Sequence, residues 1–79
     1  RLEVRVMKKN YDLIADMLIV PMRMANANGG IDNNNFWVGE LSGMLIVLRD
    51  MNLVDCDFVS DDAGNFTKLV LDSTHIYDV

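Results

Sequence analysis

The chain has 79 residues, of which 51% are hydrophobic, and a formal net charge of −5. This length predicts a single small domain over residues 1–79, and the apolar content excludes a disordered chain. From Asn10 onward the chain has three basic and eleven acidic residues. Most of the molecule is therefore negatively charged and would repel nucleic-acid phosphates. Cys56 is the only cysteine, which excludes an internal disulfide and fits a cytoplasmic location.

Residues 1–7 alternate between charged and apolar side chains. Three apolar residues would point to one side and three charged residues to the other: Leu2, Val4 and Val6 against Arg1, Glu3 and Arg5. Alternation with a period of two is typical of a half-buried strand. We therefore expect the chain to begin with a β-strand.

The first helix is predicted to begin after Asn10, whose side chain suits an N-cap, with Asp12 in the first turn. The apolar side chains that follow have helical spacing: Leu13, Ile14, Met17, Leu18, Pro21, Met24 and Ala25. Pro21 predicts a kink, or a break after which a second short helix begins. Residues 28–30, Asn-Gly-Gly, should end the helix.

A second helix is predicted over the sequence FWVGELSGMLIVL, residues 36–48, in which Glu40 is the only charged residue. One of residues 32–35 should cap it, and it should run to about Asn52. A helix that is apolar all round is normally buried. The rest of this small domain, a second copy of the chain or another protein must therefore cover it.

The remaining sequence has the pattern of a hairpin and a last short strand. Residues 53–60 and 66–71 should form two strands joined by a polar turn over residues 61–65. Residues 72–74 form a bend, and residues 75–79 are suited to a final strand. The predicted fold class is α+β, in the order β-α-α-β-β with an optional last β. Two helices should pack on one face of a small, mainly antiparallel sheet. The N-terminal strand should form part of this sheet, together with the hairpin.

Gly39 and Gly43 form a G-x-x-x-G pair on the second helix, next to the aromatic pair Phe36 and Trp37. Two small residues four positions apart make a groove that another helix can approach closely. Packing of the first helix into this groove, within the monomer, is one interpretation. The other is a self-association surface in which the two aromatic residues act as anchors. Both interpretations stay open from the sequence.

Six methionines are a large share for this length: Met7, Met17, Met22, Met24, Met44 and Met51. Their flexible side chains could line an adaptable binding groove, or they could fill the core. The sequence favours the core.

An acidic segment in and around the predicted hairpin could meet a basic protein partner through Asp55, Asp57, Asp61 and Asp62. The commoner interpretation of such a run is a solvated charged surface. The segment fails the calcium-loop pattern, because Val59 and Ser60 stand where a ligand and a glycine belong. We therefore expect no metal and no cofactor.

Catalytic groups are scarce in this chain. Cys56 lies between two carboxylates, which raise the pKa of a thiol, and it should be buried and inert. His75 is the only histidine, and its neighbours Asp72, Ser73 and Thr74 do not make a triad merely by adjacency. An enzyme is therefore the least favoured class.

The first hypothesis is a small, acidic, non-enzymatic protein-interaction module that forms a homodimer. Small phage-type inhibitors and regulators that bind other proteins belong to this class. The alternative is a nucleic-acid-binding regulator, because the order helix, helix, hairpin resembles a winged helix in outline. That alternative would use the basic N-terminal residues Arg1, Arg5, Lys8 and Lys9.

Overall fold

The first helix, α1, spans Tyr11–Ala27 in the computed structural model, which describes residues 10–52 and 55–79. Its N-cap is Asn10, as predicted, since the Asn10 Oδ1 atom accepts a hydrogen bond from the Leu13 backbone N–H at 3.3 Å. The helix ends before Asn28, also as predicted. The chain direction then changes over Gly29 and Gly30, which both have positive φ angles.

Helix α1 continues through Pro21, so the predicted alternative of a break is wrong. Proline cannot donate the backbone hydrogen bond expected at this position, which normally weakens a helix. Pro21 is itself buried, however, and Leu18 and Met22 on either side of it are completely buried. The continuous packing of this side of the helix offsets the missing hydrogen bond.

The second helix, α2, spans Phe36–Asp50 and is capped by Asn35, within the predicted range of caps. It ends two residues before the predicted end, because Asn52 has a left-handed backbone with φ of 58°. Only one side of α2 is fully buried, through Leu41, Leu45 and Leu48. Among the described residues, the rest of the domain therefore covers only part of α2, and a second copy or another protein stays open as the cover of its other sides.

Three strands form an antiparallel sheet in the order β1-β2-β3: β1 spans Cys56–Ser60, β2 spans Phe66–Leu71 and β3 spans His75–Asp78. The predicted hairpin of β1 and β2 is confirmed, and the optional last strand is present as β3, which pairs with β2 in a second hairpin. In the second, Asp72 and Ser73 have φ angles of 51° and 68°, and the Thr74 N–H donates to the Leu71 carbonyl at 3.2 Å. Positive φ at both central residues is the mark of a type I′ turn, whose twist suits a tight hairpin.

The α+β class is confirmed, with two helices and a three-stranded antiparallel sheet. The order of elements differs from the predicted one. Within the described residues it is α-α-β-β-β, so that all three strands follow the helices. The strand predicted over residues 1–7 lies outside the described residues.

The core lies around α1, which packs against α2 on one side and against β2 on the other. The sheet contributes four side chains to it: Cys56, Phe66, Leu69 and Leu71. An amide group fixes the end of α1 to the start of β2. The Asn26 Nδ2 atom donates to the Phe66 carbonyl at 2.9 Å, and the Asn26 Oδ1 atom accepts from the Phe66 N–H at 2.8 Å. This pair of bonds imitates one step of a β-ladder.

Candidate interaction surface

Helix α1 carries a second apolar stripe that the core does not use. Its members are separated by four, three and four positions, which places them on one line along the helix: Leu13, Met17, Val20 and Met24. All four side chains are exposed. The predicted apolar set of α1 mixed these residues with the true core. Leu13, Met17 and Met24 lie on the exposed stripe, because Ile14, Leu18 and their helical neighbours already face the core.

Helix α2 also presents an open apolar side, formed by Phe36, Ile46 and Val47. Gly39 and Gly43 lie on this side, and a Cβ atom added to either glycine would meet no atom within 4 Å. Packing of α1 against the glycine pair within the monomer is therefore wrong. The reason is the rotation of α2, which directs Leu41 and Leu45 into the core and leaves the glycine side to solvent.

A groove of about 360 Å³ joins the two stripes, and it is lined by Met17, Gly39, Glu40, Gly43, Met44, Val47 and Leu48. Met17 belongs to the stripe on α1 and Val47 to the open side of α2, so the two apolar surfaces meet at this groove. We call this surface the helical face and define it by seven large side chains: Leu13, Met17, Val20, Met24, Phe36, Ile46 and Val47. Their exposed fractions lie between 38% and 66%.

The predicted aromatic pair divides between the surface and the core. Phe36 is one of the most exposed large side chains of the described chain, whereas Trp37 is half-buried and packs against the core. Their rings meet edge to face with centroids 5.2 Å apart. Trp37 therefore supports the position of Phe36, and only Phe36 offers most of its ring to a partner.

The methionines divide in the same way. Met22 is completely buried, which confirms the core interpretation for that residue. Met17, Met24 and Met51 are exposed, and Met44 is half-buried at the groove. Core packing is therefore wrong for the three exposed residues. Met7 lies outside the described residues.

Asn35 fixes the beginning of the helical face. Its buried side-chain Nδ2 atom donates to the carbonyl oxygens of Ala25 at 3.0 Å and Gly30 at 2.8 Å. Its Oδ1 atom accepts from the Trp37 N–H at 3.0 Å. One amide thus ties the end of α1 to the start of α2. The sequence pattern missed this role, and the run of three asparagines before α2 was the available signal.

The acidic residues predicted to bind a partner lie at the hairpin of β1 and β2. Asp55, Asp57 and Asp62 are exposed, and Asp57 lies on the sheet face opposite the core. Asp61 has a local structural task, because its Oδ1 atom accepts hydrogen bonds from the Ala63 N–H at 3.0 Å and the Asn65 N–H at 2.9 Å. These acids do not border the groove of the helical face.

The next residues are those that the sequence offered as candidates for catalysis or metal binding. Cys56 is buried, as predicted, and burial more than its acidic neighbours raises the pKa of its thiol to about 11. Among residues 10–52 and 55–79, no group of three His, Cys, Asp or Glu side chains could hold a metal ion.

His75 belongs to a polar cluster at the turn between β2 and β3. The Asp72 Oδ1 atom accepts from the Thr74 hydroxyl and lies 2.9 Å from the His75 Nδ1 atom. These hydrogen bonds hold the pKa of Asp72 well below its usual range. In a catalytic triad the histidine uses its two nitrogens for two different partners. Here Thr74 and Asp72 both face Nδ1, so the cluster has the geometry of a turn and not that of a triad.

The tyrosine of β3 links the sheet to the start of α1. The Tyr77 hydroxyl donates to the Asp12 Oδ1 atom at 2.7 Å. Burial and this acidic partner raise the pKa of Tyr77 to about 12. The contact therefore secures the first turn of α1, from which the stripe of the helical face begins.

The four basic residues of the nucleic-acid alternative, at positions 1, 5, 8 and 9, lie outside the described residues. In the described part of the chain, no helix has both the length and the apolar character needed to cross a membrane. Comparison with protein-family models, with curated proteins and with solved structures found no match.

Proposed function

We propose that this protein is a small, acidic interaction module that acts by binding protein surfaces and not by catalysis. The observation that carries the proposal is the apolar helical face, whose large side chains are exposed on both helices in the described part of the chain. Apolar patches on monomeric proteins rarely exceed a few hundred Å², and larger ones are typical of interaction sites.

The arrangement of the exposed side chains on the helical face favours a binding surface over a region of the fold that is merely poorly packed. Both helices have capped N-termini, and the core lies on their other side. The exposed stripe on α1 takes no part in this core. Exposing this many large side chains without a partner would promote aggregation, so their alignment on one face favours a specific contact.

The proposal can be tested with a photo-crosslinking amino acid placed at Val47, in the protein expressed in its native host. Val47 lines the groove and has an exposed side chain, so it tolerates replacement. Irradiation should link the protein to a polypeptide, which mass spectrometry then identifies.

The matched control carries the same amino acid at Ile76. This residue is also exposed, but it lies on the sheet face opposite the core, since its neighbour Tyr77 points towards α1. We expect a link from position 47 and none from position 76. No link from position 47, or equal links from both positions, would refute the helical face as the binding surface.

A further inference from the structure

We propose that the occupant of the helical face is a second copy of this chain, so that two copies form a four-helix arrangement around a two-fold axis. This inference rests on the proposed function, because it names the partner of the same surface. Three properties of the face support it: its size, its shape and its charge.

The size of the helical face is close to what a stable dimer requires. Seven large apolar side chains, each about half exposed, offer on the order of 700 Å² per chain, against roughly 800 Å² per partner in an interface of standard size. In an interface of this kind, a rim of polar residues usually surrounds the apolar centre and adds to the buried area. A second copy can therefore cover the face without help from a third molecule.

The shape of the face is self-complementary. A two-fold interface uses the same surface on both copies, so that surface must supply both a ridge and a groove. The stripe on α1 is a row of large side chains, and the groove along α2 has two glycines in its lining. A two-fold axis between the helices lets the ridge of each copy enter the groove of the other, as in the packing of four-helix bundles.

Most of the acidic residues of the described chain do not line the groove of the helical face. Residues 10–52 and 55–79 contain eleven acids, of which four lie on the helices and seven on the strands and loops. Glu40 is the one acid that lines the groove. Like charges directly opposed across an interface weaken it. Because the acids are concentrated elsewhere, two copies can meet here with limited repulsion.

The test is sedimentation equilibrium of the purified chain over a wide range of concentration. We expect a mass of twice 8.9 kDa as concentration rises. Met17→Glu and Val47→Glu should each shift the chain to the monomer, because each places a charge in the centre of the contact. Ile76→Glu is the matched control and should leave the dissociation constant unchanged. Circular dichroism establishes that each variant keeps its helices.

Glu40→Gln distinguishes a second copy from a basic partner protein. Between two acidic copies, removal of the Glu40 charge should tighten self-association severalfold. A basic partner protein would instead bind the variant more weakly, because an ion pair with Glu40 would be lost. A strict monomer at high concentration would overturn this inference. A dimer that persists in Val47→Glu, or that becomes weaker in Glu40→Gln, would also overturn it. A link from position 47 to a different protein would then still support the proposed function, so the two failures are separable.

Discussion

Replacing both groove glycines with alanine should have opposite effects on the single chain and on its self-association. Gly39 and Gly43 lie inside α2, and an added Cβ atom would have free space at both positions. Glycine inside a helix costs about 1 kcal/mol relative to alanine. Gly39→Ala with Gly43→Ala should therefore raise the free energy of unfolding of the monomer by about 2 kcal/mol. For a domain of this size the melting temperature rises by roughly 4–8 °C for each kcal/mol.

In the proposed dimer the same two methyl groups would occupy the groove that the second copy enters. Overpacking a close contact costs typically 1–3 kcal/mol, which corresponds to a dissociation constant weaker by roughly 5- to 150-fold. The melting temperature of a self-associating protein rises with its concentration. The variant should therefore have a higher melting temperature than the wild type at high dilution, and a smaller rise of that temperature with concentration.

The assay is thermal unfolding at a dilution where the wild type is monomeric and again at a concentration where it associates. Sedimentation gives the dissociation constant of both proteins. Destabilisation of the dilute variant would refute the structural argument, because it would mean that the space beside the glycines is filled in the single chain. An unchanged dissociation constant would show that the second copy does not approach α2 at these residues.

Three further predictions concern the rest of the fold. Asn35→Ala removes a helix cap and two hydrogen bonds to buried carbonyls. It should therefore lower the free energy of unfolding, measured by urea titration, by about 3 kcal/mol. Asn34→Ala, at an exposed position, is the control, and equal effects of the two substitutions would contradict the argument. Ser73→Gly should stabilise the chain by roughly 0.5–1 kcal/mol, because φ at this position is 68°; a lower melting temperature would count against the type I′ turn. The Cys56 thiol, with its pKa raised to about 11 by burial, should react with a disulfide reagent near neutral pH only after denaturation, and rapid reaction of the native protein would show that it is accessible.

Local patterns predicted the elements well, because the signals for their ends are local. Asn10 caps α1, and the hairpin partner over residues 66–71 has the predicted bounds. The burial of each helix side was harder to predict. Helix α1 is apolar on two adjacent sides, and periodicity does not show which of them faces the core. The sheet and α2 together decide this, by packing against the side that contains Leu18 and Met22.

The two amides that join the elements could not be predicted from spacing. Asn26 and Phe66 are 40 residues apart in the chain, and their contact depends on how α1 crosses β2. Asn35 has the sequence signature of a cap, but its bonds to Ala25 and Gly30 follow from the path of the connecting loop. The openness of Gly39 and Gly43 is also a tertiary property. It depends on the rotation of α2, which a helix with apolar residues all round leaves undetermined.

The contact between the interhelical loop and the first hairpin has a consequence for how the molecule opens. The Ile31 N–H donates to the Gly64 carbonyl at 2.6 Å, and a Cβ atom on Gly30 would collide with the same carbonyl oxygen. With the Asn26 bonds to Phe66, this contact ties two turns that belong to different halves of the chain. We therefore expect the helical half to loosen together with the sheet. In hydrogen exchange, the amides of Ile31 and Phe66 should exchange at the same slow rate, as members of one cooperative unit, although one lies in a loop and the other at the end of a strand.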